Sequence, residues 1–272
     1  MDGLVHEGFS KILSLNLINF NFYEYFKGGE SIFYFMPGLR YILSLDNIIF
    51  GNSFNGILLL IIFFPIIIYF TLIKLGLGKK FSLIFIILFI LIKIPYIGFS
   101  FNHFARGALS IYPETFAAVF FFLFLISFLD KKYFLAGIFC FFMVFIRPNY
   151  FPIFFVYFIY HCYDFFKIHD YKKFFITIIA MSFIFLIPLH NYIYGENSLV
   201  FFTSSAFIDV NLKINFHEYL YFFQNEEVRS KIINHLINWI TTGEKNNLFP
   251  YFINFFLIFN LIFFFFWMIK NK

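Results

Sequence analysis

The chain has 272 residues, of which 61% are hydrophobic and 13% are charged, and its mean hydropathy is +0.83. This is more apolar surface than a soluble core of that size can bury, so the composition predicts an integral membrane protein. The formal charge of +5 follows from lysines in short loops, which are the usual orientation signal of a membrane protein. The charge therefore does not suggest a nucleic-acid partner.

The N-terminal region, residues 1–53, is predicted to be an external loop with interfacial helices. Charged residues recur there too often for a membrane span, whereas residues 3–18 carry apolar positions at helical spacing. Residues 33–41 are an aromatic run broken by a Pro-Gly pair and followed by Arg40 and Tyr41. We predict a turn at the membrane surface whose arginine can meet a phosphate.

The rest of the chain predicts an all-α, polytopic transmembrane helix bundle of about seven spans, some of them shorter than the usual ~20 residues. Residues 54–189 are the main bundle, with a polar turn at 100–114. Residues 190–248 are a small external segment with an amphipathic helix, and residues 249–272 are the last span and a cytoplasmic tail. The predicted spans cover residues 54–73, 81–97, 115–129, 133–146, 150–166, 174–189 and 249–269.

Lysine and arginine placement predicts the orientation. Half of the 20 basic residues lie in short loops and at the C-terminus, which the positive-inside rule assigns to the cytoplasm. An odd number of spans then places residue 1 outside, with no segment ahead of it to carry it across. We expect a chain that lacks its first transmembrane helix; insertion of a short N-terminal segment is the alternative.

Several short motifs, in this order, resemble the polytopic GT-C glycosyltransferases, which use polyprenyl-phosphate sugars and include protein mannosyltransferases and aminoarabinose transferases. The motifs are residues 35–41 (FMPGLRY), 50–52 (FGN), 109–114 (LSIYPE), 145–149 (FIRPN) and 189–196 (LHNYIYGE). The resemblance covers about residues 1–205. It implies transfer of a sugar from a polyprenyl-phosphate donor to an acceptor on the external face of a bacterial inner (plasma) membrane.

The family places a catalytic aspartate in its first external loop, and the matching position here is Asp2. The resemblance therefore implies Asp2 as the general base, with Glu7 and Glu30 behind it. The family's paired acidic residues are absent, and His190 stands where arginine is common.

The leaving phosphate needs cations, and the sugar needs groups that orient it. The predicted substrate-binding residues are Arg40, Tyr41, Arg106, Glu114, Arg147, Asn149 and His190. No metal ligand is predicted, because the histidines lack metal-binding spacing, although a divalent metal cofactor stays an option of the resemblance.

Other interpretations remain open at this point. Arginines near a membrane face also extend to lipid headgroups, and Glu114 also suits the first turn of a helix. A non-enzymatic transporter or lipid-binding scaffold is the main alternative function. A transporter is expected to carry polar residues at mid-membrane depth, whereas here they collect in external loops. A polymerase or ligase of lipid-linked saccharides shares the chemistry of a sugar transferase.

Overall fold

A computed structural model describes residues 2–31, 33, 37–51, 53–92, 100–195, 226, 230, 259–260 and 262–270. Among these residues there is no β-strand, which confirms the all-α class. The helices are α1 (Asp2–Ile18), α2 (Phe22–Lys27), α3 (Gly38–Phe50), α4 (Asn55–Lys74), α5 (Lys79–Leu91), α6 (Phe101–Leu109), α7 (Pro113–Leu129), α8 (Tyr133–Ile146), α9 (Phe151–Ile168), α10 (Tyr171–Ser182) and α11 (Leu186–Gly195). Residues 259–260 and 262–270 are also helical and are called the C-terminal helix below.

Most predicted helices lie where hydropathy placed them, and α8 begins and ends at the predicted residues. The stretch 100–114 was predicted as a turn, which is wrong, because it contains α6. Ser100 begins that helix by accepting a hydrogen bond from the backbone N–H of His103, which is the usual role of a serine N-cap. The amphipathic helix predicted around 228–240 lies outside the described residues, apart from Ser230.

Within the described ranges, two helical stretches are long and apolar enough to cross a membrane, namely α4 and the continuous run Tyr171–Gly195 formed by α10, a 3₁₀ turn and α11. Their most apolar stretches have mean hydropathies of 2.8 and 2.0, yet only 33% and 39% of those stretches are buried inside the protein. Helices α7 and α8 are apolar but shorter. The number of spans predicted from the sequence is therefore not established by helix length.

The apolar side chains form two cores that meet at α7. One core lies between α7, α8, α9, α10 and the C-terminal helix, and includes Phe124, Tyr157 and Met268. The other joins α7 to α3, α4, α5 and α6. Helix α7 is thus the central element, and its N-terminal end positions Glu114, which is described below.

Gly38 allows the N-terminus of α3 to touch the C-terminal end of α8. A Cβ atom at residue 38 would lie 2.6 Å from the backbone oxygen of Phe145, which is closer than real Cβ contacts come. The ring of Tyr41, one turn later, stacks on the Phe145 ring at a centroid distance of 6.1 Å. The described residues 37–41 of this segment therefore form the start of a helix that lies in close contact with α8.

We expect Gly38→Ala to destabilise the protein by about 1 to 3 kcal/mol, because the helices must separate to admit the methyl group. The measurement is thermal unfolding in detergent, followed by circular dichroism. Gly8→Ala is the matched control: a Cβ there meets nothing within 4 Å, so helix propensity should make it neutral or stabilising. Equal melting temperatures for the Gly38 variant and the wild type would contradict the close contact.

Candidate functional site

Three predicted substrate-binding residues meet at one end of the helix bundle. Glu114 lies in the first turn of α7, while Arg147 and Asn149 follow the last residue of α8. Because α7 and α8 pack against each other as an antiparallel hairpin, the start of α7 and the end of α8 lie side by side. Pro148 then begins a 3₁₀ turn that leads into α9.

Arg147 and Glu114 form an ion pair across this hairpin. The Nη2 atom of Arg147 lies 2.6 Å from Oε1 of Glu114, and the side chains are 29% and 54% exposed. The Nε atom of Arg147 is buried and has no hydrogen-bond partner among the described residues. The guanidinium therefore keeps donor capacity that the carboxylate does not use.

Tyr150 adds a neutral hydroxyl to the same site. Its side chain lines the same cavity as Glu114 and Arg147, and its hydroxyl can donate a hydrogen bond. Sequence analysis missed Tyr150, although it directly follows the predicted Arg-Pro-Asn tip.

The ion pair lies at the mouth of a groove with a volume of about 670 Å³, bounded by α7, α9 and the C-terminal helix. The polar lining residues are Glu114, Arg147, Asn149, Tyr150 and Asn260, and the apolar ones are Leu75, Phe121, Leu125, Pro152, Ile153, Phe263, Phe264 and Trp267. Along α7, the distance from Glu114 to Leu125 corresponds to about 16 Å at helical rise. A polar mouth and a long apolar wall are complementary to an amphipathic ligand with one charged end.

Arg40, Glu30 and Gly28 form a second, buried site, which we call the Arg40 anchor. The Arg40 side chain is completely buried, with Nη2 3.0 Å from Oε2 of Glu30, whose side chain is 17% exposed. Its Nη1 donates a hydrogen bond of 2.7 Å to the carbonyl oxygen of Gly28. Burial lowers the pKa of Arg40, and Glu30 opposes that shift by favouring the charged form.

Aromatic rings enclose the Arg40 anchor. The guanidinium carbon lies 4.4 Å from the ring centroid of Phe9 and 5.6 Å from that of Phe33, so both rings contribute cation–π contacts. Gly28 has a φ of +67°, and a Cβ there would lie 2.7 Å from the hydroxyl of Tyr41. The anchor therefore fixes the turn after α2 against α3.

His190 and Tyr41 hold the same region through backbone carbonyls. The Nε2 atom of His190 lies 2.9 Å from the carbonyl oxygen of Lys27, and its ring stacks on Phe33 at 3.7 Å. The Tyr41 hydroxyl donates to the carbonyl oxygen of Phe26 at 2.8 Å. Each of these predicted substrate ligands has an internal partner, and contact with substrate stays a prediction.

The other predicted residues lie elsewhere. Glu7 pairs with Lys11 at 2.7 Å on the surface of α1 and lines a separate cavity of about 40 Å³. Arg106 is exposed in the last turn of α6 and forms no ion pair with a described residue. The backbone of Asp2 begins α1, while its side chain lies outside the described part of the chain.

The structure thus brings together Glu114, Arg147 and Asn149 at the groove, and separately Glu30, Arg40, Tyr41 and His190 at the anchor. Sequence analysis also missed Asn260 and Trp267, which line the groove. An amide inside an otherwise apolar helix was a usable signal for Asn260, because polar groups are costly there. Within the described ranges, no three His, Cys, Asp or Glu side chains are grouped as metal ligands would be.

No protein-family model, curated protein or solved structure matches this chain. The functional interpretation therefore depends on the groove and the residues at its mouth.

Proposed function

We propose that the chain is a polytopic membrane protein of about seven spans, and that its apolar helices cross the bilayer. The support is the apolar length of α4 and of Tyr171–Gly195, and the many large apolar side chains that face outward. Phe81 is 72% exposed and Leu91 is 73% exposed, on a surface that water would disfavour. The lysine-rich loops support an orientation with the C-terminus in the cytoplasm and the long loops outside, and the proposed membrane is a bacterial inner (plasma) membrane.

We propose further that the groove binds a polyprenyl-phosphate lipid. The observation that carries this proposal is the position of Arg147 at the polar mouth of an apolar groove. A guanidinium can bind two phosphate oxygens through parallel hydrogen bonds, which makes arginine well suited to a phosphate headgroup. The apolar wall between α7, α9 and the C-terminal helix would take the first part of the isoprenoid chain, while the remainder extends into the bilayer.

The proposed reaction is transfer of a sugar from this lipid to an acceptor hydroxyl on the external face. A carboxylate accepts the hydroxyl proton as the oxygen attacks the anomeric carbon, the bond from that carbon to the phosphate oxygen breaks, and polyprenyl phosphate leaves. Asp2 is the proposed base. Its neighbour Gly3 packs against Ser110 and Ile111, just ahead of α7, so the start of α1 lies at the same end of the bundle as Glu114.

A lipid-binding scaffold is the second candidate function. Each described carboxylate with a proposed role in the reaction already has a basic partner: Glu7 has Lys11, Glu30 has Arg40 and Glu114 has Arg147. Such pairing favours positioning of lipid and protein over proton transfer. A polymerase or ligase of lipid-linked saccharides would use the same groove and the same donor chemistry.

We expect Arg147→Gln to weaken binding of polyprenyl phosphate at least tenfold, because a charge-assisted, two-point contact is lost. Binding is measured with the radiolabelled lipid and the purified protein in nanodiscs, with uncharged polyprenol as the comparison ligand. Lys80→Gln, which removes an exposed cation that does not line the groove, is the control and should bind as the wild type does.

Sugar transfer from polyprenyl-phosphate donors, measured in the same nanodiscs, separates the two functions. Transfer that Arg147→Gln abolishes supports the transferase. Phosphate-dependent binding without transfer, in protein shown to be folded, supports the scaffold. Equal affinities for polyprenol and polyprenyl phosphate would exclude the groove as a phosphate site.

A further inference from the structure

We propose that Glu114 is an internal competitor for the lipid phosphate: its carboxylate holds Arg147 until an anionic headgroup displaces it. This inference rests on the proposed function and concerns how the same site selects its ligand. In the structure, the Oε1 atom of Glu114 lies 2.6 Å from the Nη2 atom of Arg147, so this nitrogen already has a partner. A phosphate at the mouth of the groove must therefore replace a bond that already exists.

The guanidinium is only partly engaged, which makes the exchange geometrically simple. Nη2 binds the carboxylate, whereas the buried Nε has no partner among the described residues. Nε and one terminal nitrogen are a donor pair that a phosphate can bind with two oxygens. Nε is buried while the carboxylate holds Nη2, so a phosphate gains it as a second donor when it takes Nη2 from the carboxylate.

Glu114 has a favourable position after it is displaced. It lies in the first turn of α7, directly after Pro113, where the helix dipole stabilises a negative charge. Its side chain is 54% exposed, so water can solvate the released carboxylate. The ion pair is therefore weak enough for a dianionic phosphate to break, while a neutral headgroup gains nothing from Arg147.

The competition also supplies selectivity. A ligand must offer Arg147 more than the carboxylate does. Free polyprenyl phosphate, a phosphomonoester, satisfies this because it carries more charge and more acceptor oxygens, whereas the phosphodiester of a sugar donor carries a single charge, as the carboxylate does. An uncharged polyprenol or a neutral glycolipid leaves the ion pair intact. Glu114 is thus a specificity-determining residue at the mouth of the groove.

Glu114→Gln tests this inference. We expect the variant to bind polyprenyl phosphate about fivefold more tightly than the wild type, at the upper end of the range for a partly exposed ion pair. The gain should disappear when Arg147→Gln is already present, because the two substitutions act through one contact. Glu24→Gln, an exposed acid on α2 with a distant pairing to Lys27, is the charge-matched control and should leave the affinity unchanged.

The outcomes separate this inference from the proposed function. Unchanged or weaker binding by Glu114→Gln, together with loss of binding by Arg147→Gln, would overturn the competition and leave the phosphate site standing. A gain that persists in the double variant would reflect general repulsion of the lipid and would also overturn it. Wild-type affinity in both single variants would remove the phosphate site itself.

Discussion

Replacing Arg40 with methionine is expected to lower the free energy of unfolding by about 3 to 5 kcal/mol, the cost of removing one partner from a buried ion pair. The variant removes a guanidinium that is completely buried between Glu30, the Gly28 carbonyl and the rings of Phe9 and Phe33. Methionine fills part of the space but offers no donor, so a carboxylate that is 17% exposed loses its cation. The melting temperature should fall by roughly 10 °C for a chain of this size.

The matched control for Arg40→Met is Lys11→Met, which removes a cation from an exposed pair on α1. Its side chain is 48% exposed, and its pairing with Glu7 spans one helical turn, so the expected change is within about 0.5 kcal/mol. Adding Glu30→Gln to Arg40→Met should recover part of the loss, because the uncompensated charge is gone. Equal effects of the Arg40 and Lys11 substitutions would show that the anchor contributes no more than a surface pair does.

The Arg40 anchor also connects stability with the groove. Arg40 lies on the first turn of α3, where Gly38 touches the Phe145 backbone, two residues before Arg147. A loosened α3 would release one side of the α8 end that presents Arg147. Binding of polyprenyl phosphate by Arg40→Met should therefore be compared with the wild type only below the melting temperature of the variant.

Hydropathy was sufficient to predict the apolar helices of the bundle, and α8 shows why. Its residues are almost all apolar, and the charges at Lys131, Lys132 and Arg147 mark where a helix can leave an apolar environment. Helix α6 was missed because its polar residues, such as Asn102, His103 and Arg106, resemble a loop when only composition is considered. Its serine N-cap was the local signal that could have identified it.

The ion-pair and hydrogen-bond partners of a side chain, in contrast, depend on contacts between residues far apart in the sequence. Arg40 and Arg147 both lie close to a proline in the sequence, yet Arg40 is completely buried inside the protein and Arg147 is 29% exposed at the groove. The difference arises from Phe9, Glu30 and the turn at Gly28, none of which a local pattern connects to Arg40. Likewise, Asn191 accepts a hydrogen bond from the backbone N–H of Phe33, although the two residues are 158 positions apart in the sequence.

A second buried ion pair, between Lys173 and Asp164, joins α9 to α10. The two side chains are only 10% and 4% exposed. The Nζ atom of Lys173 also lies 4.3 Å from the ring centroid of Tyr133 and 5.3 Å from that of Tyr160. This cluster lies among the lysine-rich loops, at the opposite end of α9 from Arg147 and the groove mouth.

We expect Lys173→Met to lower the free energy of unfolding by about 3 to 5 kcal/mol, because Asp164 would keep a buried charge without its cation. Methionine keeps an unbranched apolar side chain of similar length, so the loss of stability reports mainly on the missing charge. The measurement is unfolding in mixed detergent micelles with increasing dodecyl sulfate, followed by circular dichroism. Lys167→Met, which replaces an exposed lysine near the end of α9, is the control and should change the free energy by less than about 0.5 kcal/mol.

The position of this pair predicts a separation between stability and binding. Because the Lys173–Asp164 contact and the mouth of the groove lie at opposite ends of α9, the Lys173 variant should bind polyprenyl phosphate with wild-type affinity at temperatures where it remains folded. Asp164→Asn should destabilise to a similar degree, and the double variant with Lys173→Met should be more stable than either single variant, since no buried charge is left uncompensated. A Lys173 variant as stable as Lys167→Met would show that the pair is solvated, and a folded variant that loses lipid affinity would show that α9 transmits the change to Arg147.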